Sequence, residues 1–257
     1  LKLTFLGTGT SQGVPVIACE CAVCQSQDPR DARLRTSAML EVNGKTLVFD
    51  TGPDFRQQMI RAKVSRLDAV LYTHCHRDHT AGLDDTRSFV FRQKQAMDLY
   101  GDGDTLHSLK LDYRYVFAEH KYPGIPDVTL HEVGKKPFKI GSVEITPVPV
   151  MHLHMPVLGY RIGDVAYITD ANHIPPTSMK LLQGLEVLVL NALQKEPHVS
   201  HFTLDQAIEV VRALQPKRAL FTHISHKLGR HADVQAELPE GIELAFDGLV
   251  VGGDAVG

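Results

Sequence analysis

The stretch LYTHCHRDHTAG, Leu71 to Gly82, sets three histidines and an aspartate within six positions: His74, His76, Asp78 and His79. It follows LDAVLY, an apolar run that reads as a buried strand, and opens a turn and helix at HTAGLDD. Three readings are open: a solvated histidine loop, a structural metal knot, or half of a catalytic metal site. Zinc and manganese both accept imidazole nitrogen and carboxylate oxygen. His74 and His76 alternate along an extended chain, so both can address one ion. Asp78 and His79 follow a turn and can reach a second.

A metal site needs more ligands than this loop carries. Candidates stand at the ends of other apolar runs: His152 or His154 in VPVMHLH, Asp170 in YITDANH, and His223 in LFTHISH. Each alone could be a hydrogen-bonded core histidine or a capping aspartate. Together they give His-x-His-x-Asp-His, then His, Asp and His, in that order. His152 immediately follows ITPVPVM and is preferred to His154.

The rest of the chain alternates strand and helix patterns. LKLTFLGT is an opening strand, and AMLEVNGKTLVFDTG is a hairpin turning at Asn43-Gly44. DFRQQMIRAKV reads as a helix with Phe55, Met59 and Ile60 on one face. FKIGSVEITPVPVMH and VLGYRIGDVAYITDA are strand pairs. LEVLVLNAL and RALFTHIS are apolar strands on either side of TLDQAIEVVRAL, an amphipathic helix started by Thr203 and Asp205. GKTLVFDTG echoes GDVAYITDA, ending at Asp50 and Asp170; AVLYTHCH echoes ALFTHISH, ending at His74 and His223. The echoes suggest two β-rich halves that deliver polar residues to a shared edge. Residues 89–132 carry the weakest pattern and read as an insertion of helix and loop in one domain spanning 1–257.

A second cluster is CECAVC, with Cys19, Cys21 and Cys24. Three thiolates this close suit zinc better than a disulfide framework, and a structural zinc wants a fourth ligand. His226, three residues after His223, can turn toward this different ion. Thiols used this way favour a reducing compartment, hence the cytoplasm. Cys75 lies on the opposite side of the extended chain from its histidine neighbours and reads as a small packing residue.

Composition adds bounds. The chain has 257 residues, 43% hydrophobic and 22% charged, with a formal net charge of -3. That balance argues against a nucleic-acid partner, which usually calls for a basic excess. No apolar run reaches the roughly 18–20 residues of a membrane helix.

HCHRDH and the later His, Asp and His resemble the metallo-β-lactamase superfamily. The resemblance implies an α/β fold, an αββα sandwich with a dinuclear site at its edge. It implies that His74, His76 and His152 hold one divalent ion, Asp78, His79 and His223 the other, and Asp170 bridges them. The opening LGTGTSQGVP, the cysteine cluster, THISH and the closing AFDG are similar to the phosphoribosyl cyclic phosphodiesterase branch. That branch implies a small cyclic phosphodiester as substrate, two manganese or zinc ions at the active site, one structural zinc, and room for a homodimer. The branch carries a histidine near the scissile phosphate, which His201 matches, with His198 the alternative. The expected mechanism is attack by a metal-bridging hydroxide, with His201 protonating the leaving oxygen or holding the phosphate and Asp78 orienting the nucleophile. Competing expectations are a thioester, lactone or β-lactam hydrolase, a tRNA 3′-end nuclease, and a non-hydrolytic protein similar to pyrroloquinoline quinone biosynthesis protein B.

Overall fold

The computed structural model describes residues 1–120 and 122–252. The first half lays down β1 (Lys2–Gly7), β2 (Ser37–Val42), β3 (Lys45–Phe49), β4 (Ala69–Leu71), β5 (Met97–Gly101) and β6 (Val128–Glu132). The second lays down β7 (Phe138–Ile140), β8 (Val143–His152), β9 (Met155–Ile162), β10 (Val165–Tyr167), β11 (Val187–Asn191), β12 (Arg218–Thr222), β13 (Ile242–Leu244) and β14 (Val250–Gly252). Between them run α1 (Phe55–Arg61), α2 (Arg77–Thr80), α3 (Arg87–Gln93), α4 (Gly103–Asp112), α5 (Pro176–Leu181), α6 (Leu204–Leu214) and α7 (His231–Glu237). No helix among the described residues is long and apolar enough to cross a membrane.

The strands form two seven-stranded sheets, β14-β1-β2-β3-β4-β5-β6 and β13-β12-β11-β10-β9-β8-β7. Alternation of side chains builds the layers. Leu3, Phe5, Leu47, Phe49 and Leu71 meet Ile145, Tyr160, Tyr167, Val189 and Leu220 between the sheets. The intervening residues face outward. Val48, Val70 and Leu99 pack against Phe55, Met59, Phe89 and Leu106 of the first helical layer. Leu188, Leu190, Ala219 and Phe221 pack against Leu182, Leu204, Val211 and Val234 of the second. Central strands are covered on both faces, which is why LDAVLY, LEVLVL and RALF are unbroken apolar runs. The architecture is the expected αββα sandwich. The Asn43-Gly44 turn is also as expected, with φ of 49° and 72°; both values suit the tight hairpin that pairs Val42 with Lys45.

Two expectations are corrected. The segment 89–132 is not helix and loop alone: its described residues add two strands to the first sheet, β5 parallel to β4 and β6 parallel to β5. Their pattern is weak because β5 buries only alternate residues and β6 is a partly exposed edge. Ile60 does not share the buried face of Phe55 and Met59. It is exposed, and Gln58 takes that place, its amide donating to the Arg35 carbonyl at 2.8 Å. Of the two echoes, the aspartate pair is topologically equivalent: Asp50 and Asp170 each follow a hairpin strand that precedes a parallel crossover. The Thr-His pair is not, since β4 adjoins β3 whereas β12 lies one strand beyond β11.

The cysteine-bearing loop between β1 and β2 is fastened to the far end of the chain by Arg33, buried to 4% exposure. Its guanidinium donates to Thr8 Oγ1 (2.9 Å), the Ala245 carbonyl (2.6 Å) and His231 Nδ1 (3.1 Å). The His231 backbone N–H donates to Asp31 Oδ1 at 2.7 Å. Burial, then the Arg33 and Arg30 charges, push the His231 imidazole down to about 4, against the pull of Asp28 and Asp31. An unfolded histidine titrates near 6.5. Below that pH the unfolded chain therefore binds more protons, and stability falls as pH drops from about 6.5 to about 4. His231 should account for up to about 3 kcal/mol of that loss. Denaturant titrations at several pH values should show a shallower acid slope in His231→Gln; an unaltered slope would exclude this origin.

Candidate metal centre

Three residues leave their strands by the same backbone move. Asp50 follows β3, Asp170 follows β10 after two residues, and His223 follows β12, with φ of 63°, 53° and 55°. Left-handed backbone at a non-glycine residue costs on the order of 1 kcal/mol or more and persists where its surroundings over-determine it. Buried hydrogen bonds do that here. Ser37 Oγ donates to the Phe49 carbonyl at 2.8 Å. The Asn191 side chain brackets Ala171, accepting its N–H at 2.7 Å and donating to its carbonyl at 2.9 Å. Thr36 Oγ1 accepts the His223 N–H at 3.1 Å. These pinned turns bring the side chains of Asp50, Asp170 and His223 to one edge of the sandwich, where they meet the HCHRDH loop.

Hydrogen bonds at Nδ1 fix the imidazoles. Thr73 Oγ1 donates to Asp50 Oδ2 at 2.9 Å and so accepts the His74 Nδ1 proton at 2.9 Å. His79 Nδ1 donates to Asp50 Oδ2 at 2.8 Å, and His152 Nδ1 donates to the Ser200 carbonyl at 2.8 Å. Each ring is thereby fixed through Nδ1 and turns Nε2 toward the cluster, the nitrogen a metal ion would take. His74 Nε2 lies 3.0 Å from His76 Nδ1. Asp170 spans the centre, with Oδ2 3.3 Å from His79 Nε2 and Oδ1 3.1 Å from His223 Nε2. Asp78 Oδ2 stands 3.3 Å from His79 Nε2 and 3.8 Å from His223 Nε2. Ligand atoms of His74, His76 and His152 gather at one point, those of His74, His79 and Asp170 at a second, and those of Asp78, His79 and His223 at a third.

The charges follow from burial and crowding. Burial holds His74 well below its usual range, and burial with His152 nearby lowers His76. Burial alone would lower His79 too, but Asp170, Asp50 and Asp78 hold it well above. Burial would raise Asp78 and Asp170; the surrounding histidines prevail and keep both ionised. Burial, reinforced by His223, pushes His201 down to about 3.

The structure brings the expected residues together at this edge. His152 joins His74 and His76, whereas His154 is exposed outside the cluster. His201 is buried, its ring 4.6 Å from His152 and 4.8 Å from His223, with Nδ1 3.8 Å from Asp170 Oδ1. His198 lies one layer out, 5.1 Å from His201 and exposed. Cys19, Cys21 and Cys24 place their sulfurs 3.3, 3.4 and 3.5 Å from His226 Nδ1. A tetrahedral zinc with ordinary bond lengths would separate sulfur and nitrogen by about 3.5 Å. The Cys24 backbone N–H and His226 hold the Cys21 thiol down at about 6, while burial raises Cys24 to about 11. Asp50, Thr73, Thr36 and Asn191 were not singled out as site residues; only the FDTG and ITDA echo hinted at Asp50.

The comparisons agree with this geometry. The family model of the beta-lactamase superfamily domain matches residues 45–224. The chain belongs to the beta-lactamase superfamily. It is similar to the crystal structure of a diphosphatase of the PhnP family, 42% identical, with a TM-score of 0.92 over 98% of each chain. Zn(2+)-bound PqqB from Methylobacterium extorquens shares the fold, 20% identical, with a TM-score of 0.77 over 98% of this chain and 100% of that one. An octanoyltransferase of Porphyromonas gingivalis is 37% identical over 97% of this chain and 51% of its own length. A ribonuclease Z of Methanococcus maripaludis is 28% identical over 64% of this chain and 49% of its own. The chain spans about half the length of these curated relatives. It has the metallo-β-lactamase fold with clustered residues able to bind metal.

Proposed function

We propose that the chain is a metal-dependent phosphodiesterase for a small cyclic phosphodiester, of the phosphoribosyl 1,2-cyclic phosphate or 2′,3′-cyclic nucleotide type. The donor set carries the reading. The Nε2 atoms of His79 and His223 are buried without hydrogen-bond partners and converge on carboxylates. A metal cation held among them would satisfy these nitrogens and the ionised oxygens beside them. We assign His74, His76 and His152 to one divalent ion, Asp78, His79 and His223 to a second, and Asp170 to both; manganese and zinc each fit. Such ions would lower the pKa of water and offset charge on phosphoryl oxygens.

The residues divide the remaining work. Asp78, partly open to solvent, orients the nucleophile by accepting its hydrogen bond. His201 is neutral near pH 7, so it donates one N–H to a phosphate oxygen in preference to delivering a proton to the leaving group. Asp50 holds His79 and Thr73 in register. Asp50→Asn should weaken metal binding about 10- to 100-fold, read by chelator competition, with the circular dichroism spectrum retained; unchanged affinity would remove this role from Asp50.

Cys19, Cys21, Cys24 and His226 would hold a structural zinc. It would pin the loop after β1 to the segment that delivers His223. The free thiols fit a reducing compartment, and we place the protein in the cytoplasm.

The similarity to a PhnP-family diphosphatase and to ribonuclease Z supports phosphoester chemistry. The octanoyltransferase relative favours a second reading, acyl hydrolysis of a thioester or lactone. That relative is about twice this length, so its name describes a protein of which this chain matches one half. The discriminating experiment assays metal-loaded protein with bis(p-nitrophenyl) phosphate, a 2′,3′-cyclic nucleotide, an octanoyl thioester and a lactone. Turnover of the diesters is expected; turnover of the acyl substrates alone would replace the phosphodiesterase reading with the second.

A further inference from the structure

We infer that the mouth between the two sheets, at β6 and β7, is a second binding site, for a flat ring that carries phosphate groups, a ligand of the nucleotide class. The inference goes beyond the phosphodiesterase reading and does not rest on it: the ligand is held here, away from the metal centre, and is not hydrolysed. β6 is the last strand of the first sheet and β7 the last of the second, and residues 133–137 join them directly. β7 has three residues, against five in β5 and five in β6. It covers those strands incompletely, and Tyr100 and His131 are only half-buried. The cavity left at this mouth has a volume of about 840 Å³, the size of a small-molecule site.

Three rings line it: Tyr100 of β5, His131 of β6 and Phe138 of β7. Tyr100 and His131 are register partners in the parallel pairing, so they share a face of the sheet. Their rings stack with centroids 4.4 Å apart and planes 14° apart. Tyr100 stacks in turn with Phe138, at 5.2 Å and 14°. The three near-parallel rings form a column that bridges the two sheets. His131 is fixed in it by a hydrogen bond from Nε2 to Asp98 Oδ1 at 2.8 Å, yet its side chain is 38% exposed. A fixed, partly exposed ring at the end of a column is a platform on which another flat ring can stack.

Lys135, Lys136 and Lys139 also line the cavity. All three are exposed, and among the described residues none pairs with a carboxylate. Glu132 is the one carboxylate of the lining. A protein of formal net charge -3 thus gathers positive charge at this mouth, which attracts anions. The two signs are also separated. Asp98 and Glu132 belong to the strands that carry the ring platform, the lysines to the loop that follows and to β7. A ligand with its ring on the strands and its phosphates toward the loop suits both sides; the reverse orientation sets phosphate against carboxylate. A neutral aromatic leaves the lysines unused, and bare phosphate leaves the rings unused. A nucleotide uses both.

The test is calorimetric titration of the metal-loaded protein with the methylene analogue of ADP, which resists hydrolysis, beside adenosine and methylenediphosphonate. The analogue should bind with a Kd of about 100 μM or tighter, and each half-ligand at least about tenfold more weakly. Two variants address the two parts of the site: His131→Ala removes the platform, and Lys136→Glu with Lys139→Glu reverses the charge on exposed positions. Each should weaken the analogue about tenfold or more, while diester kcat/KM stays within about twofold of wild type. Unchanged affinity in both variants would place the nucleotide at the metal centre and overturn the site. Binding of methylenediphosphonate or adenosine as tight as that of the analogue would overturn it too, leaving a basic patch or an aromatic one. So would the absence of binding by wild type at about 1 mM. None of these results bears on diester turnover, which is read separately.

Discussion

Asp170→Asn is expected to lower diester turnover by about 10³-fold or more, equivalent to roughly 4 kcal/mol of transition-state stabilisation. Its carboxylate contacts both His79 and His223 from opposite oxygens, and we assign it to both ions. The amide keeps the shape but withdraws the charge, and it turns one oxygen into an N–H donor aimed at a histidine lone pair. The backbone turn should survive, because Asn191 holds Ala171 without help from the carboxylate. Metal content at the histidine cluster should fall to one ion or none while the circular dichroism spectrum is kept. A variant with both ions and wild-type turnover would contradict the bridging role.

Cys21→Ser has the largest expected effect on stability. Zinc binding by a preformed cysteine and histidine site is folding free energy, on the order of 10 kcal/mol in small domains. Losing one of four ligands here should forfeit about 3–5 kcal/mol, lowering the melting temperature by about 10 °C for a chain of this size. Turnover should fall with it, because His226 lies three residues beyond His223. The Thr10 N–H also donates to the Ile224 carbonyl at 3.1 Å, so the loop and the ligand segment move together. Loss of zinc with full stability and full turnover would show the cluster to be an ornament of the loop and no part of its scaffold.

Most of the centre was legible in the sequence because its residues sit at the ends of apolar runs. A strand covered on both faces leaves an unmistakable apolar pattern, and the first aspartate or histidine after it marks the sheet edge. His74, Asp170 and His223 all follow that rule. The choice of His152 over His154 followed it too, since β8 ends at His152 and the turn carries His154 outward. Asp50 obeys the same rule yet was not read as functional, because it would touch no ion and acts only through His79 and Thr73. That role exists in the hydrogen-bond geometry and in no spacing. His201 and His198 flank a loop with no periodicity, so only the fold separates the buried ring from the exposed one. Residues 89–132 failed for the opposite reason: an edge strand covered on one side offers too few apolar positions to announce itself.

The central claim is that HCHRDH is half of a two-ion hydrolytic centre and that CECAVC with His226 is a separate zinc site. Anomalous diffraction from crystals of the metal-loaded protein, recorded at the manganese and zinc edges, tests this most directly. The account predicts two ions flanking Asp170, one bound by His74, His76 and His152 and the other by Asp78, His79 and His223. It also predicts a third ion, zinc, among Cys19, Cys21, Cys24 and His226. A single ion at the histidine cluster, or none touching Asp170, would contradict it.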